Sequence, residues 1–150
     1  MKDYQDYSLF HNFVETFSPI GFNGIDDNHP LVLELEKMTE VNKQFYFLAD
    51  LLQGKILFSS KYSKKLVGVE ATELTPYDLI DATHPDHVNR ITKGWAKLLY
   101  IANNLLAAKS GSSLFSTNIK LLNPKGTYTE TLFQCLLFYS EIPQKKVYLL

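Results

Sequence analysis

The stretch SLFSTNIKLLNPKGTYTETLFQCLLFY covers residues 113–139. It contains two runs whose successive side chains would lie on opposite faces of a β-strand, and a turn sequence separates them. Within it, Asn123-Pro-Lys-Gly126 has proline second and glycine fourth, which is typical of a type I turn followed by a left-handed glycine that forms a bulge. Such a loop places Lys120 directly opposite Glu130, an opposite-charge pair across the two strands. The stretch therefore predicts an antiparallel hairpin of defined register.

This register divides the hairpin into two faces. Phe115, Ile119, Phe133 and Cys135 share one face, which we expect to point toward the core. The other face also carries apolar residues such as Leu132. A sheet that is apolar on both faces needs cover on both sides, and the helices predicted near the N-terminus are the expected outer cover.

Two strands and several helices precede the hairpin. Before it, the sequence predicts a strand hairpin over 44–60, a short helix over 61–68, short helical turns over 70–83 and a long helix from Pro85 to about Lys109. After it, a last strand is predicted to begin at Lys145. Proline in the first helical turn, after Thr83 or His84 as the cap, is typical of a helix start. The order predicts an α+β fold with five antiparallel strands, interrupted by helices after the second.

The first 43 residues predict two further helices. Aromatic residues at three- and four-residue spacing indicate a short helix over about 7–17. A second amphipathic helix over about 30–43 begins at Pro30, with Asn28 or His29 as its cap, and carries an apolar stripe. Leu31, Leu35 and Met38 form that stripe and are the predicted dimer interface, although the same stripe could pack on the sheet.

The composition limits the function classes. A chain of 150 residues with 45% hydrophobic and 21% charged residues has the profile of one globular domain. No run approaches the ~20 apolar residues of a membrane span, and the N-terminus lacks the apolar segment of a secretory signal. A single cysteine excludes an intrachain disulfide. We therefore expect a cytoplasmic protein, and one arginine with net charge −1 predicts weak nucleic-acid binding.

The order of elements resembles a PAS domain over about residues 44–150, with 1–43 as an N-terminal helical extension. The local sequences that carry the resemblance are Phe47–Asp50, Gly54–Ser59, Leu66–Gly68, Thr83–Asp86 and Asn123–Tyr128. The local sequences of residues 82–86 and 132–140 are similar to those in the N-terminal PAS modules of bacterial LuxR-type helix-turn-helix transcriptional regulators. His87 stands where that pattern has a second aspartate. Since the sequence ends within an apolar strand, the resemblance implies a DNA-binding domain beyond Leu150.

The resemblance implies a five-stranded antiparallel sheet whose inner face is covered by the short helices and the long helix. It also implies a ligand pocket between these layers, lined by Phe47, Phe58, Leu79, Trp95, Leu99, Thr117, Ile119, Phe133 and Cys135. Threonine hydroxyls are the polar groups expected there, so a bound ligand should be neutral and largely apolar.

No metal and no cofactor is expected. His84 and His87 are the residues closest to a haem or metal site, but they lack a third ligand and His84 belongs to a helix cap. Cys135 lacks the Asn-Cys-Arg sequence of flavin-binding relatives, and a buried thiol is usually unreactive.

Three functions remain open from the sequence. The first is a sensory PAS domain of a bacterial transcriptional regulator, which binds a small apolar ligand or a partner, signals through a homodimer and reaches DNA only through another domain. The second is a ligand-free dimerisation or protein-interaction module. The third is a cone-shaped α+β enzyme or carrier, which the absence of nucleotide-binding, nucleophile-elbow and acid–base motifs disfavours. We therefore expect no enzymatic activity.

Overall fold

A computed structural model of the chain describes residues 8–50, 53–103, 114–140 and 146–149. For 101–103, 114–115, 136–140 and 146–149 only the backbone is considered. The elements are α1 (Ser8–Phe17), a 3-10 turn (Ser18–Ile20), α2 (Pro30–Val41), β1 (Phe47–Asp50), β2 (Lys55–Ser59), α3 (Ser63–Val67), α4 (Pro76–Ala82), α5 (Pro85–Asn103), β3 (Leu114–Leu122), β4 (Tyr128–Ser140) and β5 (Lys146–Leu149). The expected continuation of the long helix beyond Asn103 lies outside the described residues. None of the helices within these ranges is long and apolar enough to cross a membrane.

Every strand pair is antiparallel, and the pairs connect the strands in the order β2-β1-β5-β4-β3. The last strand in the chain therefore lies in the middle. The pairing of β5 with its two neighbours is short. It covers Ala49–Asp50 of β1 and Leu137–Ser140 of β4.

The β3–β4 hairpin has the predicted register. Lys120 lies opposite Glu130, and the pairing continues without a shift from Leu122↔Tyr128 to Leu114↔Leu136. Gly126 adopts a positive φ of 82°, and its amide donates to the Asn123 carbonyl at 3.0 Å. The turn chemistry and the two-residue alternation were therefore sufficient to predict this part of the sheet.

Side-chain caps determine where the helices begin. His29 Nδ1 accepts a hydrogen bond from the Leu31 amide at 3.1 Å at the start of α2. His84 Nδ1 accepts one from the Asp86 amide at 3.1 Å at the start of α5. Thr75 caps α4 in a reciprocal capping box with Asp78. Each cap satisfies an amide that has no carbonyl partner within its own helix.

The inner face of the sheet packs against α4 and α5. Buried Ile91 of α5 contacts Ile119 and Leu121 of β3, while Leu98 of α5 lies with Cys135 of β4. Trp95 joins both groups, and its ring centroid is 6.4 Å from that of Phe133. The long helix therefore lies across the hairpin with its tryptophan side toward the sheet, as the sequence predicted.

The outer face of β1 and β2 packs against the N-terminal helices. The buried members of this N-terminal cluster are Phe13, Phe17, Phe22, Val32, Leu35, Tyr46 and Leu48. On the outer face of the hairpin, the side chain of Leu132 is 55% exposed. The cover that we expected from the N-terminal helices is therefore incomplete at this residue.

The predicted dimer stripe on α2 packs within the chain. Leu35 has no exposed surface, and Leu31 and Met38 pack against the same N-terminal cluster. Leu35 cannot contact a second subunit in this fold, so its prediction as an interface residue is wrong. The stripe correctly identified the buried side of α2, but the surface that covers it belongs to α1 and the sheet.

Gly68 is expected to tolerate alanine poorly. It ends α3 with φ at 78°, and an added Cβ would lie 3.3 Å from Pro124 Cγ. Gly68→Ala should therefore destabilise the fold by about 1–2 kcal/mol, measured by denaturant unfolding. Gly54→Ala is the matched control, because Gly54 has φ at 63° and open space around it. Equal losses for the two variants would show that the Pro124 contact contributes nothing.

Candidate ligand cavity

A cavity of about 630 Å³ lies between the helices and the sheet. Leu79 of α4 and Ile91 and Trp95 of α5 form its helical wall. The opposite wall consists of residues from the inner faces of β1, β3 and β4: Phe47, Ile119, Leu121, Thr129, Thr131, Phe133 and Cys135. This volume and this largely apolar wall suit a small molecule of low polarity.

Six of the nine predicted pocket residues lie on this wall: Phe47, Leu79, Trp95, Ile119, Phe133 and Cys135. Phe58 is a wrong prediction, because a bulge between Leu48 and Ala49 changes the register of β1 with β2. Its ring points to the outer face and lies 5.3 Å from that of Phe13.

Leu99 and Thr117 are also absent from the cavity wall. Leu99 is 42% exposed, because the preceding residue Leu98 takes the buried position on α5. Thr117 is half-buried on β3, opposite Phe133. Thr129 and Thr131, the other two threonines expected to supply hydroxyl groups, do line the cavity.

Two buried polar groups on the cavity wall have no hydrogen-bond partner among the described residues: the indole nitrogen of Trp95 and the hydroxyl of Tyr46. Burial raises the pKa of the Tyr46 phenol well above its usual range, so the group remains a neutral donor. A buried donor without a partner costs about 1–3 kcal/mol. A ligand that carries a carbonyl or hydroxyl oxygen could satisfy such a group.

The cavity also has walls on the outer side of the sheet. Phe10, His11 and Val14 of α1 line it, as do Glu130 and Leu132, whose side chains alternate with the inward ones along β4. The lining of the cavity therefore includes residues from both sides of the sheet.

The two histidines near the start of α5 have structural partners. His84 Nδ1 caps the helix, and His87 Nδ1 accepts a hydrogen bond from the Lys120 amide at 3.0 Å. Their rings lie 5.6 Å apart, and His84 also contacts the ring of Tyr128 at 4.7 Å. Within the described ranges, no group of three or more potential metal ligands is found.

Cys135 is expected to be protected from alkylation. The residue is 1% exposed, and burial raises the pKa of its thiol to about 12. Since the thiolate is the nucleophile, this raised pKa leaves much less of the reactive form near pH 8 than an exposed thiol has. Iodoacetamide should therefore modify the native chain at least about 100-fold more slowly than the same chain in guanidinium chloride. Similar rates in both conditions would contradict this burial.

The sequence interpretation missed the α1 residues and Tyr46 as parts of the cavity wall. Periodicity showed that Phe10 and Val14 lie on the apolar side of a helix. It could not show which surface that side contacts, because that depends on tertiary packing. The alternation of Phe45, Tyr46 and Phe47 assigns Tyr46 to the face opposite Phe47, so it gave no signal for Tyr46 at the cavity.

No family model matches the chain, and no curated protein does. One similar solved structure is the PAS domain of a protein from Colwellia psychrerythraea, with a TM-score of 0.47 and 17% identity over 79% of this chain and 93% of that one. Another is the N-terminal domain of a diguanylate cyclase with a PAS/PAC sensor from Marinobacter aquaeolei, with a TM-score of 0.46 and 8% identity over 70% of this chain and 88% of that one.

Proposed function

We propose that the chain is a sensory PAS-type domain that binds a small, neutral and largely apolar ligand between α5 and the sheet. The observation that carries this proposal is the cavity walled by Trp95, Ile119 and Phe133. The element order supports it, since two strands, three helices and three strands is the plan that the resemblance to PAS domains implies. We further propose that this sensor is cytoplasmic, has no enzymatic activity and belongs to a bacterial transcriptional regulator.

β1 gives the ligand site a physical route to the N-terminal helices. Phe47 and Ala49 pack on the inner side of the sheet, whereas Tyr46 and Leu48 belong to the N-terminal cluster on the outer side. A ligand that favours one position of β1 would therefore shift the packing of α1 and α2. Such a ligand changes the population of two arrangements only as far as its affinity for them differs.

The test is ligand-induced stabilisation of the whole chain by neutral apolar probes such as 1-octanol. At about 100 times the dissociation constant, binding should add about 2.7 kcal/mol and raise Tm by roughly 5–10 °C. Thr131→Phe should abolish the shift, because Thr131 lines the cavity. Ser116→Phe is the control, since Ser116 is exposed on the neighbouring strand. A shift that survives Thr131→Phe unchanged would place the ligand elsewhere.

The alternative function is a ligand-free interaction module, and one surface favours it. Leu122, Tyr128 and Leu132 are 36%, 44% and 55% exposed on the outer face of the hairpin. The Lys120–Glu130 pair lies between Leu132 and the other two residues, and exposed apolar side chains with a polar surround are common in protein interfaces. If this face forms a homodimer, sedimentation velocity should show a dimer for the wild type and a monomer for Leu132→Glu. A wild-type monomer at all concentrations would remove this alternative.

A further inference from the structure

Three hydrogen bonds attach the start of α5 to the outer edge of β3. The His84 amide donates to the Lys120 carbonyl at 2.8 Å, and the Lys120 amide donates to Nδ1 of His87 at 3.0 Å. Arg90 Nη1 donates to the Asn118 carbonyl at 2.7 Å. Since β3 is an edge strand of the sheet, these contacts satisfy backbone groups on the side of β3 that faces away from β4.

Only the His87 contact of these three depends on a proton that is exchanged near neutral pH. A ring nitrogen of histidine accepts a hydrogen bond while it is unprotonated and becomes a donor in the imidazolium. Protonated at Nδ1, His87 would present a donor to the Lys120 amide, which is itself a donor. The backbone groups and the guanidinium of Arg90 keep their roles over this pH range.

The charged groups around His87 do not replace this hydrogen bond with an ion pair. The titratable and charged groups on the surrounding elements are Asp78 and Asp81 on α4, His84 before α5, Asp86 and Arg90 on α5, Lys120 on β3, and Tyr128 and Glu130 on β4. Asp86 Oδ2 lies 3.8 Å from Nδ1 of His84, and among the described residues no carboxylate forms an ion pair with His87. A protonated His87 would therefore lose its hydrogen bond without gaining a carboxylate partner.

The side of α5 that His87 holds against β3 also carries the helical wall of the cavity. Ile91 and Trp95 follow His87 at four-residue intervals on α5, and both line the cavity. Residues four apart on a helix lie on the same face. A change in the His87 contact would therefore alter the position of this wall with respect to the sheet, and this change needs no ligand.

We propose that protonation of His87 releases the start of α5 from β3, so that the helical wall of the cavity loosens at acid pH. The unfolded chain lacks this hydrogen bond and binds the proton more readily, so the stability that the contact contributes is lost as pH falls. Since histidine in an unfolded chain titrates near about pH 6.5, the loss begins as pH falls through this value.

The test compares the free energy of unfolding of the full chain at about pH 7.5 and about pH 5.5 by chemical denaturation. His87→Asn keeps an acceptor oxygen on a short side chain and does not titrate in this range. Between the two pH values, the folding equilibrium constant should fall about fivefold more in the wild type than in His87→Asn, the equivalent of one ordinary hydrogen bond. By NMR, the Lys120 amide resonance should titrate together with the His87 ring in the wild type and should stay in place in His87→Asn.

Two further variants make the test specific. His87→Ala removes the acceptor at every pH, so it should already be less stable at about pH 7.5 and should share the weaker pH dependence of His87→Asn. His11→Asn removes an exposed histidine on α1 and should keep the pH dependence of the wild type. Equal pH dependence in the wild type and His87→Asn, or a wild-type Lys120 amide resonance that does not respond to pH, would overturn the proposal.

Discussion

Leu35→Glu is expected to unfold the chain rather than to separate a dimer. Leu35 is fully buried among aromatic residues of the N-terminal cluster. A carboxylate there would lose its hydration without gaining a partner, at a cost of several kcal/mol even after its pKa adjusts. Such a cost is comparable with the total stability of a domain, about 5–15 kcal/mol. Circular dichroism and chemical denaturation should show a largely unfolded chain.

Leu33→Glu is the matched control for this prediction. Leu33 lies on the same helix, only two residues away, but is 51% exposed. Its free energy of unfolding should change by no more than about 0.5 kcal/mol. A folded, monomeric Leu35→Glu variant with wild-type stability would contradict the packing of α2. The apolar stripe of α2 would then again be the predicted subunit interface.

Phe13→Ala is expected to cost about 3–5 kcal/mol, because it removes a buried aromatic side chain and leaves a cavity. Phe13 has no exposed surface, and its ring lies 5.1 Å from that of Phe17, 5.8 Å from that of Tyr46 and 5.3 Å from that of Phe58. The contacts therefore join α1 to β2 and to Tyr46, the residue directly before β1. Truncation of Phe13 should weaken the sheet as well as the helix.

The fluorescence of Trp95 can measure this effect, since Trp95 is the only tryptophan and packs on the inner side of the sheet. If the N-terminal cluster and the inner core unfold together, Phe13→Ala should move the denaturation midpoint of the Trp95 signal to lower guanidinium concentration. Tyr77→Ala is the control, because Tyr77 is 76% exposed. A Trp95 midpoint that Phe13→Ala leaves in place would show that residues before β1 fold as a separate unit.

Local chemistry explains which parts of the fold the sequence could predict. Proline and glycine in Asn123–Gly126 define a loop that permits only one pairing of its flanking residues, and that pairing is observed. His29 and Pro30, and His84 and Pro85, mark helix starts through side-chain and backbone preferences that act over a few residues. These features depend on neighbours in the chain and not on the tertiary fold.

Predictions that depended on distant contacts were less successful. The bulge at Leu48/Ala49 places Phe58 on the outer face. No glycine, proline or other turn residue at that position indicates a bulge in the sequence. Leu35 was correctly identified as a buried-face residue, but periodicity cannot distinguish a partner subunit from another part of the same chain.

The most direct test of the proposed sensor is the NMR signal of the Trp95 indole N–H. The chain has one tryptophan, so it gives one such resonance, and its nitrogen is buried at the cavity without a hydrogen-bond partner among the described residues. Titration with 1-octanol should shift this resonance to saturation, because the apolar residues of the cavity wall favour a neutral ligand. Octanoate, which has the same chain length and a negative charge, should shift it far less. A resonance that no neutral apolar probe moves would contradict the assignment of this cavity as a ligand site.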